Sequence, residues 1–122
     1  VRSAVALDRA VNHFSASVTD YHDCSVIVLD GELDALSVPL LQQMLGGALA
    51  RGHTHLVIDV AKLTFCDSVG IWALAEGHQR AEAAGGRLTL AYVHGVLKRL
   101  LEINQRAGVL PLEVEFITTL EW

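Results

Sequence analysis

The chain has 122 residues, 52% hydrophobic and 19% charged, a globular composition with room for one domain and no need of a disulfide or metal to fold. Fourteen acidic against nine basic residues leave a net charge of −5, which argues against a general nucleic-acid or anionic-membrane surface. No apolar run approaches the roughly 18 residues of a membrane span, and no secretory leader pattern opens the chain. Cys24 and Cys66 belong to no disulfide framework or redox motif, so they read as core filler in a reducing cytoplasm.

Val1 to Asn12 is Ala-rich and weakly amphipathic, and reads as a short helix or loose arm (1–12) ahead of a domain over 13–122. Phe14, Ala16 and Val18 alternate with serines as in a half-buried strand. The polar turn Thr19–Asp23 leads to Val26-Ile27-Val28-Leu29, a β-branched run expected to be buried on both faces. So short a turn favours an antiparallel hairpin. Ser37 is placed as an N-cap, with Pro39 in the first turn. Leu40, Leu41, Met44, Leu45, Ala48 and Leu49 then form one helical apolar stripe, stopped at Gly52.

Leu56-Val57-Ile58-Asp59-Val60 reads as the next buried strand, and Phe65–Gly70 as a strand-to-helix loop. Ile71, Leu74 and Ala75 keep helical spacing up to Gly85-Gly86. Leu88, Leu90 and Tyr92 alternate as a strand, and Val96, Leu97, Leu100, Leu101 and Asn104 return to helical spacing before Gly108. Leu112, Val114 and Phe116 alternate with Glu113 and Glu115, which places the last strand at an edge or facing solvent. The order β-β-α-β-α-β-α-β predicts an α/β fold with a small, mixed, mostly parallel sheet flanked by helices.

Asp67-Ser68-Val69-Gly70 falls where a strand gives way to a helix, so Ser68 lies at or near a helix N-terminus. The macrodipole there favours negative charge. A phosphate on Ser68 would add about −1.5 to −2 charges beside Asp67, a large change for any partner docked on the loop. The plainer reading is that Asp67 or Ser68 simply caps the helix.

Gly31-Glu32-Leu33-Asp34 after a buried strand resembles the Gly-Glu-Leu-Asp of STAS domains, and Leu56–Asp59 leading into Asp67-Ser68-Val69-Gly70-Ile71 is similar to their central segment. Val96-Leu97-Lys98-Arg99-Leu100-Leu101-Glu102-Ile103, closed by Gly108-Val109, resembles their last helix. The likeness runs from about Phe14 to Ile117 and is to the anti-sigma factor antagonists. It implies a small mixed sheet flanked by helices and a binding partner that is both an anti-sigma factor and a serine kinase. It also implies that phosphorylation of a serine breaks the complex and a PP2C-type phosphatase resets it. By position that serine is Ser68, with Asp67 its matching neighbour and Asp34 an acidic loop residue near it. The expected partner-binding set is Asp34, Asp67, Ser68, Val69, Gly70 and Trp72, with no cofactor, no direct nucleic acid and no membrane.

Two positions depart from the pattern. Val69 stands where Ser or Thr is usual, and Trp72 where a small residue is common. Trp72 lies off the Ile71, Leu74 and Ala75 stripe, as an exposed anchor for a partner or as a side chain tucked against a neighbouring loop. These departures favour a second reading, a constitutive STAS scaffold without a phosphate cycle.

Other signals fall short. His53-x-His55 offers a metal only two ligands. His78 falls on the apolar stripe, and Tyr21, His22 and His94 read as solvated loop residues. Cys66 stands where a nucleophile elbow needs Gly, and no base, nucleophile and orienting group assemble, so no enzyme is expected. Asp59 ends a strand as a receiver-domain aspartate would, but the acidic pair and late lysine are missing. Gly46-Gly47 and Gly85-Gly86 lack phosphate-loop spacing.

Overall fold

The computed structural model describes residues 3–11, 13–22, 24–111 and 114–117. Strands β1 (Ser3–Val11), β2 (Phe14–Tyr21), β3 (Cys24–Leu33), β4 (His55–Cys66), β5 (Arg87–Ala91) and β6 (Glu115–Ile117) form one six-stranded sheet in chain order. Helices α1 (Val38–Ala50), α2 (Ser68–Ala83) and α3 (Gly95–Arg106) connect β3 to β4, β4 to β5 and β5 to β6. The first three strands pair antiparallel through short turns, and the last four pair parallel because a helix separates each from the next. No helix among the described residues is long and apolar enough to cross a membrane.

The mixed, mostly parallel sheet with flanking helices is the predicted fold, with one strand added. Ser3–Val11 is neither a helix nor a loose arm but an edge strand, registered from Ser3↔Tyr21 to Val11↔Phe14. Its weak amphipathicity says little, because its hydrogen-bond partners come from β2. Val1, Arg2 and Asn12 of the expected arm, Asp23 of the expected turn, and Leu112 and Glu113 of the expected last strand lie outside the described residues, as do residues 118–122. β6 takes the opposite edge, as its charged alternation requires.

Burial on both faces is corrected. In β3, Ile27 and Leu29 are fully buried while Val26 and Val28 are half-buried; in β4, Leu56, Ile58 and Val60 alternate with half-buried Val57 and Asp59. One sheet face therefore carries the core, joined by Leu41, Leu45 and Ala48 of α1 and by Ile71 and Leu74 of α2. β2 runs on through Thr19–Tyr21, which had read as turn, and β4 continues past Val60 to Cys66.

Opposite the C-terminal ends of the parallel strands, a polar pin closes the core. Asp20, at the end of β2, is 1% exposed. It accepts two hydrogen bonds from the Arg51 guanidinium, that from the terminal nitrogen at 2.9 Å, and one from the Ser25 hydroxyl at 2.6 Å. His53 approaches the same group, with Nδ1 3.3 Å from both Ser25 Oγ and the Cys24 carbonyl. Burial opposes ionisation of Asp20, but hydrogen bonds from Arg51 and Ser25 and the charges of Arg51 and His53 outweigh it and hold the carboxyl below its usual range.

A carboxyl that titrates lower in the folded than in the unfolded chain stabilises the fold above about pH 4 and loses that contribution as the pH falls through its folded value. The Asp20→Asn variant is expected to lose about 1–3 kcal/mol at neutral pH and to show a flatter acid limb. Urea denaturation across pH 3–7 checks both.

Candidate partner-binding site

The candidate residues gather where β3 and β4 end. Leu33 and Cys66 are register partners at the ends of β3 and β4, so Asp34 and Asp67 are the first residues beyond those adjacent strands. The Asp67 amide donates to the Leu33 carbonyl at 3.3 Å and locks the two exits together. The expected loop Phe65–Gly70 contracts to one residue: Phe65 and Cys66 close β4, and α2 starts at Ser68.

Asp67 is the N-cap, in extended conformation, and its carboxylate accepts the Gly70 amide at 3.0 Å. The plain capping reading is thus correct for Asp67 and leaves the hydroxyl of Ser68 out of the cap. Ser68 is exposed on the first residue of the helix, where the macrodipole is positive. Asp34 is largely engaged by its own loop. Its carboxylate accepts from the amides of Leu36 (3.0 Å) and Ser37 (3.2 Å), and its own amide donates to the Ser37 hydroxyl at 2.9 Å. Ser37 holds the N-cap position of α1 without a cap hydrogen bond; its hydroxyl donates to the Glu32 carbonyl at 2.8 Å.

Two glycines make this corner possible. A Cβ on Gly31, which sits at φ +109°, would fall 2.0 Å from the His13 carbonyl oxygen. A Cβ on Gly70 would fall 2.8 Å from both Cys66 Sγ and the Leu33 carbonyl oxygen. Gly70 is buried, so its part in the expected set is to seat α2 on the strand ends.

Val69 and Trp72 point outward, Trp72 with 53% of its surface exposed, so the tucked alternative for Trp72 is set aside. Leu36, 68% exposed, and Phe65 are further apolar side chains at this end that the sequence reading did not single out. Leu36 could have been found, since an apolar residue inside a polar turn has no core to face. Beneath them Cys66 is buried, and that burial, aided by the Asp67 charge, pushes its thiol up to about 12.

The discounted residues are now placed. His53 belongs to the Asp20 pin and His55 is exposed at the start of β4, so the two form no ligand pair. No cluster of three metal-ligating side chains occurs among the described residues. His78 is buried as its stripe position predicts, with Nε2 3.3 Å from Glu82 Oε2. His94 does more than meet solvent: it precedes α3 and its Nε2 lies 3.3 Å from the Val60 carbonyl. Asp59 accepts the Ala61 amide at 2.9 Å, a local role in mid-strand.

Ser68 thus stands on the first turn of α2, where β3 and β4 end, with the exposed apolar side chains of Val69 and Trp72 next to it in the helix. The family profile described as Mlab, STAS domain, matches residues 17–111, and the chain belongs to the STAS domain family. It is 32% identical over 66 residues to the anti-sigma-F factor antagonist RsfB of Mycobacterium tuberculosis, 54% of either chain, so it spans about half the length of that relative. Among solved structures it is similar to an anti-sigma factor antagonist from Mycobacterium paratuberculosis, with TM-score 0.72, 26% identity, and coverage of 88% of this chain and 87% of that one. The fold is also that of the Bacillus cell fate determinant SpoIIAA in its phosphorylated form, with TM-score 0.57, 24% identity, and coverage of 86% and 85%.

Two outcomes test this geometry. Gly70→Ala is expected to cost about 1–3 kcal/mol by overpacking, read as a lowered thermal midpoint. A thiol reagent at pH 8 is expected to leave Cys66 unmodified in the native protein and to label it in urea, as peptide mapping would show.

Proposed function

We propose that the chain is an anti-sigma factor antagonist that binds an anti-sigma factor with serine-kinase activity and is released when Ser68 is phosphorylated. The observation that carries this reading is the position of Ser68, exposed on the first turn of α2, beside the Asp67 carboxylate and the apolar side chains of Val69 and Trp72. The helix dipole tolerates a phosphate there, so modification need not unfold the domain. A partner packed on Val69 and Trp72 would instead meet about −1.5 to −2 new charges and their desolvation cost. The mechanism is differential affinity: the kinase binds the unmodified form, and a PP2C-type phosphatase restores it. The likeness to antagonists supports the role, and one similar protein, SpoIIAA, is known in a phosphorylated form. The reading carries a cytoplasmic location with it.

A second reading, a constitutive scaffold, draws on the same apolar surface. Val69 and Trp72 offer affinity that needs no charge switch. Substitution at Ser68 separates the two. With an anti-sigma factor kinase of the host as partner, Ser68→Ala is expected to bind like the parent and Ser68→Asp to bind about 5–150-fold more weakly. Equal binding by both variants overturns the switch and leaves the scaffold. Intact-mass spectrometry of the protein from its host, with fragmentation, is expected to find one phosphate on Ser68. Trp72→Ala is expected to cost about 2 kcal/mol or more in partner binding, with an unchanged thermal midpoint.

A further inference from the structure

α3 is held to the body of the protein by few of its side chains. Leu101 is its one fully buried residue, and Leu97 and Leu100 are half-buried. Val96 and Ile103 stand outward, 84% and 50% exposed. Val96, Leu100 and Ile103 follow one another by four and three positions, so they form a single apolar row along the helix. Val96 and Leu100 are also the lip of a cleft of about 500 Å³ that Leu63 and Phe65 of β4 line from the other side, with no lysine, arginine, aspartate or glutamate in its walls. Charge borders the row on its solvent side. At 3.6 residues per turn, Arg99 and Arg106 fall about 40–60° round the helix from Ile103 and about 10 Å apart along it. Both are exposed, and neither makes an ion pair among the described residues. Half-buried Glu102 lies further round, behind them.

We infer that the outer face of α3 receives an amphipathic helix of a partner protein, with the apolar stripe of that helix on Val96, Leu100 and Ile103 and carboxylates on its flank beside Arg99 and Arg106. The occupant is a helix because the backbone next to the cleft is already engaged. The Ala61 amide is on the Asp59 carboxylate, and the Val60 carbonyl is met by His94. A segment laid there gains no main-chain partners and must satisfy its own amides, as a helix does. A row spaced by four and three positions is also the surface on which a second helix packs, ridge into groove. The uncharged cleft takes apolar side chains from the stripe, and the unpaired arginines outside it set the sign of the flank. They also weigh against a second copy of this chain. Two such helices packed antiparallel about a two-fold axis would bring arginine flank against arginine flank. Two arginines on a chain of net charge −5 suit a protein partner better than an anionic membrane. The face does not include Ser68, and the inference does not rest on the phosphate cycle.

The test selects a displayed library of helical hairpins, one face randomised, on the whole protein. The winners are expected to carry apolar residues at helical spacing with Asp or Glu beside them, and to shift the backbone amide resonances of residues 96–106. Ile103→Glu, a change on an outward side chain, is expected to weaken them about tenfold or more. Arg99→Glu with Arg106→Glu is expected to weaken them by a similar factor, and winners whose acidic residues are changed to Lys are expected to bind that double variant better than the parent. Ser68→Asp is expected to leave binding unchanged, so failure here and failure of the antagonist reading are told apart. Should Ile103→Glu fail to fold, the arginine reversals, which break no contact within the chain, carry the decision. Winners without acidic residues, resonance shifts confined to other elements, indifference to the arginine reversals, or no enrichment at all overturns the inference. Capture of the chain by phosphatidylserine vesicles, lost on the arginine reversals, overturns it in favour of a membrane surface.

Discussion

The structure turns on one junction, where β4 becomes α2 within a single residue. Asp67 donates its amide to the Leu33 carbonyl and accepts the Gly70 amide on its carboxylate, so one residue ties two strand exits to a helix start. The tie leaves no slack. A side chain on Gly70 would meet Cys66 Sγ and the Leu33 carbonyl oxygen, and Cys66 is itself buried. Three polar backbone groups that would otherwise be orphaned at an element end are satisfied with little added chain. The consequence is placement: Ser68 cannot drift, because the residues before and after it are held.

The two ends of the sheet divide their labour by how they treat acidic groups. At one end Asp20 is buried and matched by Arg51 and Ser25, a pairing that favours the fold and meets no visitor. At the other end Asp34 and Asp67 take backbone amides at loop and helix starts, and no ion pair with either occurs among the described residues. Negative charge is thus paired with a guanidinium at one end and held by backbone amides at the other. A charge added at Ser68 would be remote from the buried pin, which lies at the far end of the sheet, so it would leave that pairing intact.

Much of this was legible. Helical stripes at Leu40–Leu49 and the motif Asp67-Ser68-Val69-Gly70 gave α1 and the start of α2, because local spacing and capping decide them. Less legible was what depends on distant partners. Ser3–Val11 becomes a strand only by pairing with β2, and the extension of β4 to Cys66 is drawn out by β3. Val26 and Val57 looked like two-sided core, yet β-branched residues also suit the half-buried face of a sheet. At the site, Ser68 and Asp67 could be named from sequence. The seating role of Gly70 could not, since it follows from a close approach to Leu33 that only the fold creates.

Trp72 and Phe65 join the two surfaces into one question. Phe65 is the last residue but one of β4, Ser68 begins the helix three positions later, and Trp72 follows one turn on. A partner large enough to cover Trp72 and Ser68 therefore passes close to the cleft walled by Val96 and Leu100. The two surfaces respond to different physics. The Ser68 face carries the Asp34 and Asp67 carboxylates beside exposed Val69 and Trp72, whereas the cleft is lined mainly by apolar side chains. Under the proposed switch, a partner held at both would be loosened, not expelled, by a phosphate on Ser68, because the contact at the cleft would keep the rest at high effective concentration. A partner held at the Ser68 face alone would leave outright. Under the proposed switch, the extent of release would therefore be set by how much of the contact lies at the cleft rather than around the helix start.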